Sequence, residues 1–144
     1  MNKNTIEQDV LGCVLLKFEL ATEMLALVKE SDFSSKAHKI LYRFIEKLVN
    51  EGAVEFNINE VYSKYPNLIP AIGGDVYLMD LLDVLVIPSK YSSTCKALVR
   101  EAFKEDIARL SKNSDSLFRE EFSKGKEFIF NRISEWQTRL SDID

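Results

Sequence analysis

The sequence predicts an all-α fold, a compact orthogonal helical subdomain followed by an antiparallel helical hairpin. Apolar residues recur at helical spacing along nearly all of the 144 residues. No stretch alternates strictly between apolar and polar residues with hairpin turns at its ends. Gly52, Pro66, Pro70, Gly73, Gly74 and Pro88 all fall where one periodic segment gives way to the next.

The first helix is expected from about Thr5 to Phe18, with Ile6, Val10, Leu11, Val14 and Leu15 on one side. A second covers about Glu19 to Lys29 and carries Leu20, Met24, Leu25 and Val28. Polar residues then interrupt the pattern, and the Ser35 hydroxyl is placed to accept from the free amides of a new first turn. The third helix, Lys36 to Glu51, has the cleanest stripe: Ala37, Ile40, Leu41, Phe44, Ile45, Leu48 and Val49. It is the expected centre of the core.

Asn57 followed by Glu60 reads as a capping box for a short helix ending near Tyr65, where Pro66 stops it. A turn rich in proline and glycine leads to a helix from about Gly74 to Leu85. A longer helix follows Pro88, from about Ser89 to Ser111, with Cys95, Leu98, Val99, Ala102, Phe103, Ile107 and Leu110. Polar residues from Ser111 to Asp115 turn it back into a last helix, about Ser116 to Leu140. On that helix Phe118, Phe122, Gly125, Ile129, Ile133, Trp136 and Leu140 form a heptad-like seam, so the two long helices should make the hairpin. The expected division is residues 1–96 for the globular subdomain and 97–144 for the hairpin. Gly12 and Gly125 lie inside helices, at about 1 kcal/mol each relative to alanine unless close backbone packing needs them.

Composition narrows the function. With 46% apolar and 29% charged residues the chain is globular, and a domain of this size can bury a core without disulfides or metal. Cys13 and Cys95 sit in apolar helical patterns and read as reduced core residues. Nineteen basic against 23 acidic residues give a net charge of −4, which offers no bulk attraction to a phosphate backbone. Residues 1–96 hold 10 basic and 13 acidic groups and residues 97–144 hold 9 and 10, so neither part is a nucleic-acid face. Lys124, Lys126 and Arg132 are the weak exceptions weighed for a phosphate contact. No apolar run is long enough to span a bilayer and no signal peptide is recognisable after Met1, so a soluble, cytoplasmic protein is expected.

Catalytic signals are missing. His38 is the sole histidine and reads as a packing or hydrogen-bonding residue rather than a general base. The carboxylate pairs Glu105–Asp106 and Glu120–Glu121 are adjacent in sequence, point to different parts of a helix surface, and read as solvated. No catalytic residue, cofactor or metal ligand is expected.

Several residues, taken in order, carry a resemblance. They are Glu7 with Val10-Leu11-Gly12 and Leu15-Leu16; Asp32-Phe33 followed by His38; Gly52 and Val54; Gly73-Gly74 with Tyr77-Leu78 and Leu81-Leu82; and, after Pro88, Leu98-Val99-Arg100. Over about 100 residues this pattern resembles the N-terminal domain of DnaB-type replicative DNA helicases. Departures are Ser35-Lys36 where that family often has Asp-Pro, a changed cap at Glu55-Phe56-Asn57, and Leu85-Val86-Ile87, which reads as a small insertion. The phosphate loop of a RecA-like motor is missing, because Gly73-Gly74 is followed by Asp75-Val76 with no lysine, so the chain is not expected to hydrolyse ATP.

The resemblance implies an interaction domain. In that family the hairpins pair two by two into a collar that offers docking surface to DnaG-type primase and, in some systems, to a loader. The expected partners are therefore copies of the chain, as a homodimer or higher oligomer, together with primase and a helicase loader. The expected interface is Phe118, Phe122, Gly125, Ile129, Ile133 and Trp136, with Leu117 and Phe128 beside it. The competing reading of this stripe is that it only closes the hairpin and docks on the first subdomain. A second function reading is a stand-alone phage or mobile-element protein of the same fold that regulates a helicase, primase or loader. A third, a small hydrolase or ligand-binding helical domain, would need polar groups converging on a cavity.

Overall fold

A computed structural model describes residues 2–119 and 121–143, and those residues contain nine α-helices and no strand. They are α1 (Lys3–Leu16), α2 (Ala21–Leu27), α3 (Lys36–Asn50), α4 (Ile58–Lys64), α5 (Leu68–Ile72), α6 (Asp75–Leu82), α7 (Pro88–Lys112), α8 (Ser114–Phe118) and α9 (Phe122–Ile143). The chain divides into two compact units, Met1–Leu98 and Val99–Asp144, with the boundary inside α7.

The caps explain several boundaries. Asn2 begins α1 by accepting from the Thr5 amide at 2.8 Å, Ser35 begins α3 through His38 N at 3.4 Å, and Asn57 begins α4 through Glu60 N at 3.1 Å. Glu60 does not return the bond as a capping box would; its carboxylate pairs with Lys64 one turn on. Pro88 is the first residue of α7, where its missing N–H costs no helical bond.

Several boundaries differ from the sequence expectation, among them the helix after Gly74, which ends at Leu82 and not near Leu85. The second helix begins as a 3-10 turn, Phe18–Leu20, before α2. The segment after Pro66, expected as a turn, forms α5, because Pro70 sits in its first turn, where amides have no helical partner anyway. The hairpin's return helix, expected unbroken from Ser116 to Leu140, is split into α8 and α9.

In the first unit α1, α2, α3, α5 and α6 enclose Val10, Leu11, Val14, Met24, Leu41, Ile45, Ile72, Leu78 and Leu81, all essentially inaccessible. Gly12 lets α1 and α6 approach. A Cβ there would lie 2.1 Å from the Leu81 carbonyl oxygen, so the glycine is required by packing. Of the third-helix stripe, Leu41, Phe44, Ile45 and Leu48 are buried; Ala37, Ile40 and Val49 are only partly covered, and His38 and Tyr42 take the remaining inward positions. Two tyrosine hydroxyls satisfy buried carbonyls: Tyr42 donates to Val28 O at 2.6 Å and Tyr91 to Val10 O at 2.8 Å.

Cys13 and Cys95 are both free and buried, and burial pushes the Cys95 thiol up to about 12. A small cavity is lined by Cys13 together with Asp9, Leu85, Ile87, Lys90, Tyr91 and Thr94. Burial also raises the Asp9 carboxyl and the Cys13 thiol, so no activated nucleophile faces this space.

Candidate interaction surface on the hairpin

In the second unit the pairing of side chains gives the helix direction. Phe103 of α7 meets Trp136 of α9 edge to face, with ring centroids 5.5 Å apart, while Asp106, further along α7, meets Arg132, earlier on α9. The two helices therefore run antiparallel. Asp106 is the hub of this contact. Its two oxygens accept from Arg132 Nη1 at 2.7 Å each, from Trp136 Nε1 at 2.7 Å and from Arg109 Nη2 at 3.2 Å.

Burial would raise the Asp106 carboxyl, but the hydrogen bonds from Arg132, Trp136 and Arg109 together hold it below the usual carboxylate range. Asp106 is thus not the solvated surface group expected of the Glu105–Asp106 pair. A carboxylate one turn from Phe103 on the helix side facing Trp136 is buried by that indole and stays charged because two guanidinium groups and an N–H reach it. Arg132, weighed for phosphate binding, is engaged with Asp106 and with the Phe128 ring, 5.3 Å from its centroid. Glu120 lies outside the described residues, as do Met1 and Asp144; Glu121 is exposed.

The break in the return helix has a local cause. A Cβ on Gly125 would stand 2.5 Å from Leu117 O and 2.6 Å from Phe118 Cδ1, so α8 lies directly on the start of α9. Helical hydrogen bonds from Asn113 N to Arg109 O and from Leu117 N to Asn113 O continue across the polar segment that was expected to turn the chain. The reversal falls instead between Phe118 and Phe122, whose rings stack with centroids 5.1 Å apart.

The six expected interface residues divide accordingly. Gly125 and Trp136 are buried, Phe118 and Ile129 are half-buried, and Phe122 and Ile133 are exposed. At 100° per residue, Gly125, Ile129 and Trp136 lie on one line of α9, whereas Phe122, Phe130 and Ile133 lie along its flank. Phe122 is 67% exposed and Phe130 61%. Phe130 escaped the sequence reading because the heptad count followed the buried line. The offsets 122, 130 and 133, with Lys126 and Gln137 between and beyond, were the available signal.

A second constellation gathers in the first unit. Glu7 accepts from His38 Nδ1 at 2.7 Å, from Ser34 N at 2.9 Å and from Ser35 N at 3.4 Å, and both Glu7 and His38 are buried. With Nδ1 turned to the Glu7 carboxylate, Nε2 of His38 faces the Tyr77 hydroxyl, which also receives a bond from Gln8. Tyr77 in turn packs on Gly73, and Asp32 accepts from Lys29 N at 2.8 Å to hold the loop that presents Phe33 against His38. Glu7, Asp32, Phe33, His38, Gly73 and Tyr77, scattered over 71 positions, thus meet around one buried carboxylate.

The DnaB-like helicase N terminal domain family matches residues 1–101. The chain belongs to that family. The fold agrees over a longer span, since the N-terminal domain of DnaB helicase from Mycobacterium tuberculosis superposes with a TM-score of 0.71 at 19% identity, covering 95% of this chain and 94% of that one. A second structure, of a DnaB-like replicative helicase and its interactions with primase, gives a TM-score of 0.64 at 21% identity. There the match covers 96% of this chain but 31% of the other, so the chain corresponds to under a third of that helicase. No curated protein matches. As a DnaB-like N-terminal domain the chain is a helical domain of the replicative helicase family. Among its described residues no helix is long and apolar enough to cross a membrane.

Proposed function

We propose that this domain is the N-terminal collar element of a replicative DNA helicase, which pairs with its own copies through the hairpin and offers the resulting assembly to a DnaG-type primase or a loader. The observation that carries the reading is the apolar flank of α9, where Phe122, Phe130 and Ile133 stay uncovered by their own chain. Aromatic side chains exposed in a row on one rigid helix are the composition of an interface core. Phe118, Phe122, Ile129, Phe130 and Ile133 form the pairing face, and Gly125 and Trp136 fix its shape from beneath. Family membership over residues 1–101 supports the helicase context, and the solved relative described with primase supports that partner. The ATP-hydrolysing motor belongs to the remainder of such a helicase.

Light scattering on the purified chain at about 10–50 μM, a range that detects weak interfaces, tests the pairing. A dimer or larger is expected, falling to monomer in the Phe122→Ala/Phe130→Ala double variant with helicity unchanged. A wild-type monomer throughout that range rejects hairpin pairing in the isolated domain. Titration with the C-terminal domain of the cognate primase at low salt tests the partner, and absence of binding removes primase from the reading.

A further inference from the structure

The outer side of α3 carries a line of like charge. Lys36, Lys39, Arg43 and Lys47 follow one another at steps of three, four and four residues, so at 100° per residue they fall within about 80° of arc and each neighbours the next along the helix. α3 holds one acidic residue, Glu46, at the edge of that arc. The overall charge balance hides the line, because the 10 basic and 13 acidic groups of residues 1–96 average it away.

Helix formation does not account for it. Like charges three or four residues apart on a helix repel, and Lys36, the first residue of α3, sets a cation against the positive end of the helix dipole. Lys36 is also a departure from the resembling pattern, in which Asp-Pro is frequent where this chain has Ser35-Lys36, a change of two charges toward positive. Internal partners reach only half of the line. Arg43 Nε pairs with Glu30 at 2.5 Å, and Lys47 Nζ stands 4.7 Å from the centroid of the Tyr65 ring. Lys36 and Lys39 make no hydrogen bond or ion pair among the described residues, and Arg43 remains 62% exposed.

The surroundings decide which anion fits. Glu30 and Glu46 border the cations, and both repel a continuous phosphate backbone, whereas a protein segment can carry neutral groups opposite them. The Tyr65 ring packs edge to face on Phe44 at 4.9 Å beneath Lys47, and its hydroxyl donates to Glu51, so it is not free to stack on a base. Steps of three and four residues, about 5.5 Å of rise each, match carboxylates on one side of a second helix. Same-side groups of an extended strand recur every ~6.6 Å and fall out of step.

We propose that Lys36, Lys39, Arg43 and Lys47 form a docking face for an acidic helix of a partner protein, one whose aspartates or glutamates recur every three or four residues along one side. The carboxylates pair with Lys36, Lys39 and Lys47, and Arg43 is shared with Glu30. This face lies wholly in the first unit and does not depend on hairpin pairing.

The probe is a fluorescein-labelled, alanine-based peptide of about five helical turns, with glutamates along one side and a hydrocarbon staple on the other. Its control has the same composition and staple with the glutamates dispersed around the helix. Fluorescence anisotropy with the full chain at near-physiological salt should show binding of the one-sided peptide that weakens as salt is raised, and weaker binding of the control. Lys36→Glu/Lys39→Glu and Arg43→Gln/Lys47→Gln should each lower the affinity by about tenfold or more. Lys104→Glu/Lys124→Glu, the same charge change at exposed positions elsewhere, should leave it within about threefold. Lys36→Glu/Lys39→Glu should also melt no lower than wild type, since acidic residues suit the first turn of a helix and Glu at position 39 stands four residues before Arg43. Loss of affinity therefore reports the lost face and not a damaged fold. No binding up to about 100 μM chain, equal binding of the dispersed peptide, unchanged affinity after Lys36→Glu/Lys39→Glu, or equal loss in the Lys104/Lys124 variant would each overturn the proposal. Tighter binding of an oligothymidylate of the same net charge would overturn it in favour of nucleic acid, and a fall in the chain's own assembly mass on Lys36→Glu/Lys39→Glu in favour of a second copy.

Discussion

Trp136 donates its indole N–H to Asp106 at 2.7 Å, and the same carboxylate takes both of its other short bonds from Arg132. The chain's single tryptophan is therefore an internal clasp between α7 and α9 as well as a neighbour of the exposed flank. Asp106→Ala leaves the indole N–H and a half-buried guanidinium without their acceptor. The expected cost is roughly 2–3 kcal/mol, in the range for lost hydrogen bonds to a charged group. Tryptophan emission reports it directly: the variant should emit further to the red in native buffer, and its tryptophan-detected transition should fall to lower denaturant. Emission and transition identical to wild type would mean that the clasp does not hold the hairpin.

Glu7 makes stability depend on acid. Burial would raise its carboxyl, but the bonds from His38 and from the Ser34 and Ser35 amides outweigh this and hold it below its ordinary value of 4.5. A carboxylate with a lower value folded than unfolded contributes stability that is complete above the unfolded value and is lost as pH falls through the folded one. The stabilising contribution should therefore be constant above about pH 5 and decline on acidification below it. In Glu7→Gln the overall stability should be lower at neutral pH by on the order of 2 kcal/mol, and the acid decline should be shallower. Urea melts of both proteins from neutral to acidic pH measure the difference, and parallel curves would remove Glu7 from the explanation.

Why some of this was legible in the sequence and some was not follows from the range of the interactions. α3 could be read because Ser35 caps it locally and Leu41, Phe44, Ile45 and Leu48 repeat at helical spacing. The Glu7 network could be sensed only through resemblance, since nothing in the spacing of Glu7, His38 and Tyr77 states that they touch. Asp106 was misassigned for the same reason: a carboxylate on a mixed helix face looks solvated until its tryptophan, 30 residues away, is folded over it. α5 was hidden by Pro70, which signals a turn in sequence but is tolerated in the first turn of a helix. On α9 the heptad spacing joined the buried Gly125 and Trp136 to the exposed Phe122 and Ile133, because periodicity alone does not say which edge of the stripe the neighbouring helix covers.

Gly12→Ala separates packing from propensity. Alanine is the better helix former by about 1 kcal/mol, so an exposed mid-helix glycine would be stabilised by this change. Here the new methyl would overlap the Leu81 backbone carbonyl and press on the Val84 side chain, at the end of α6. Forcing α1 and α6 apart is expected to reverse the sign and destabilise the domain by roughly 1–3 kcal/mol net. Chemical denaturation gives the sign at once, and any stabilisation would show that the α1–α6 approach is not tight.

Gly125→Ala applies the same test to the second unit and discriminates between two origins of hairpin pairing. The added methyl meets Leu117 O and the Phe118 ring, so α8 must lift from α9 and the Phe118–Phe122 stack must open. Phe122 itself remains in place, still exposed and still aromatic. If pairing requires only the apolar area of the flank, Gly125→Ala should keep the oligomer that Phe122→Ala/Phe130→Ala loses. If it requires a preorganised flank, the variant should lose affinity by about tenfold, because ordering mobile side chains on binding costs about 0.5–1.5 kcal/mol each. The geometry favours the second outcome, since Phe122 is the first residue of α9 and, among the described residues, its stack on Phe118 is the one ring contact that orients it. Hydrogen exchange should show faster exchange confined to α8 and the first turns of α9, and light scattering over a concentration series gives the affinity. Loss of protection throughout α9 would instead identify Gly125 as a requirement of the hairpin fold.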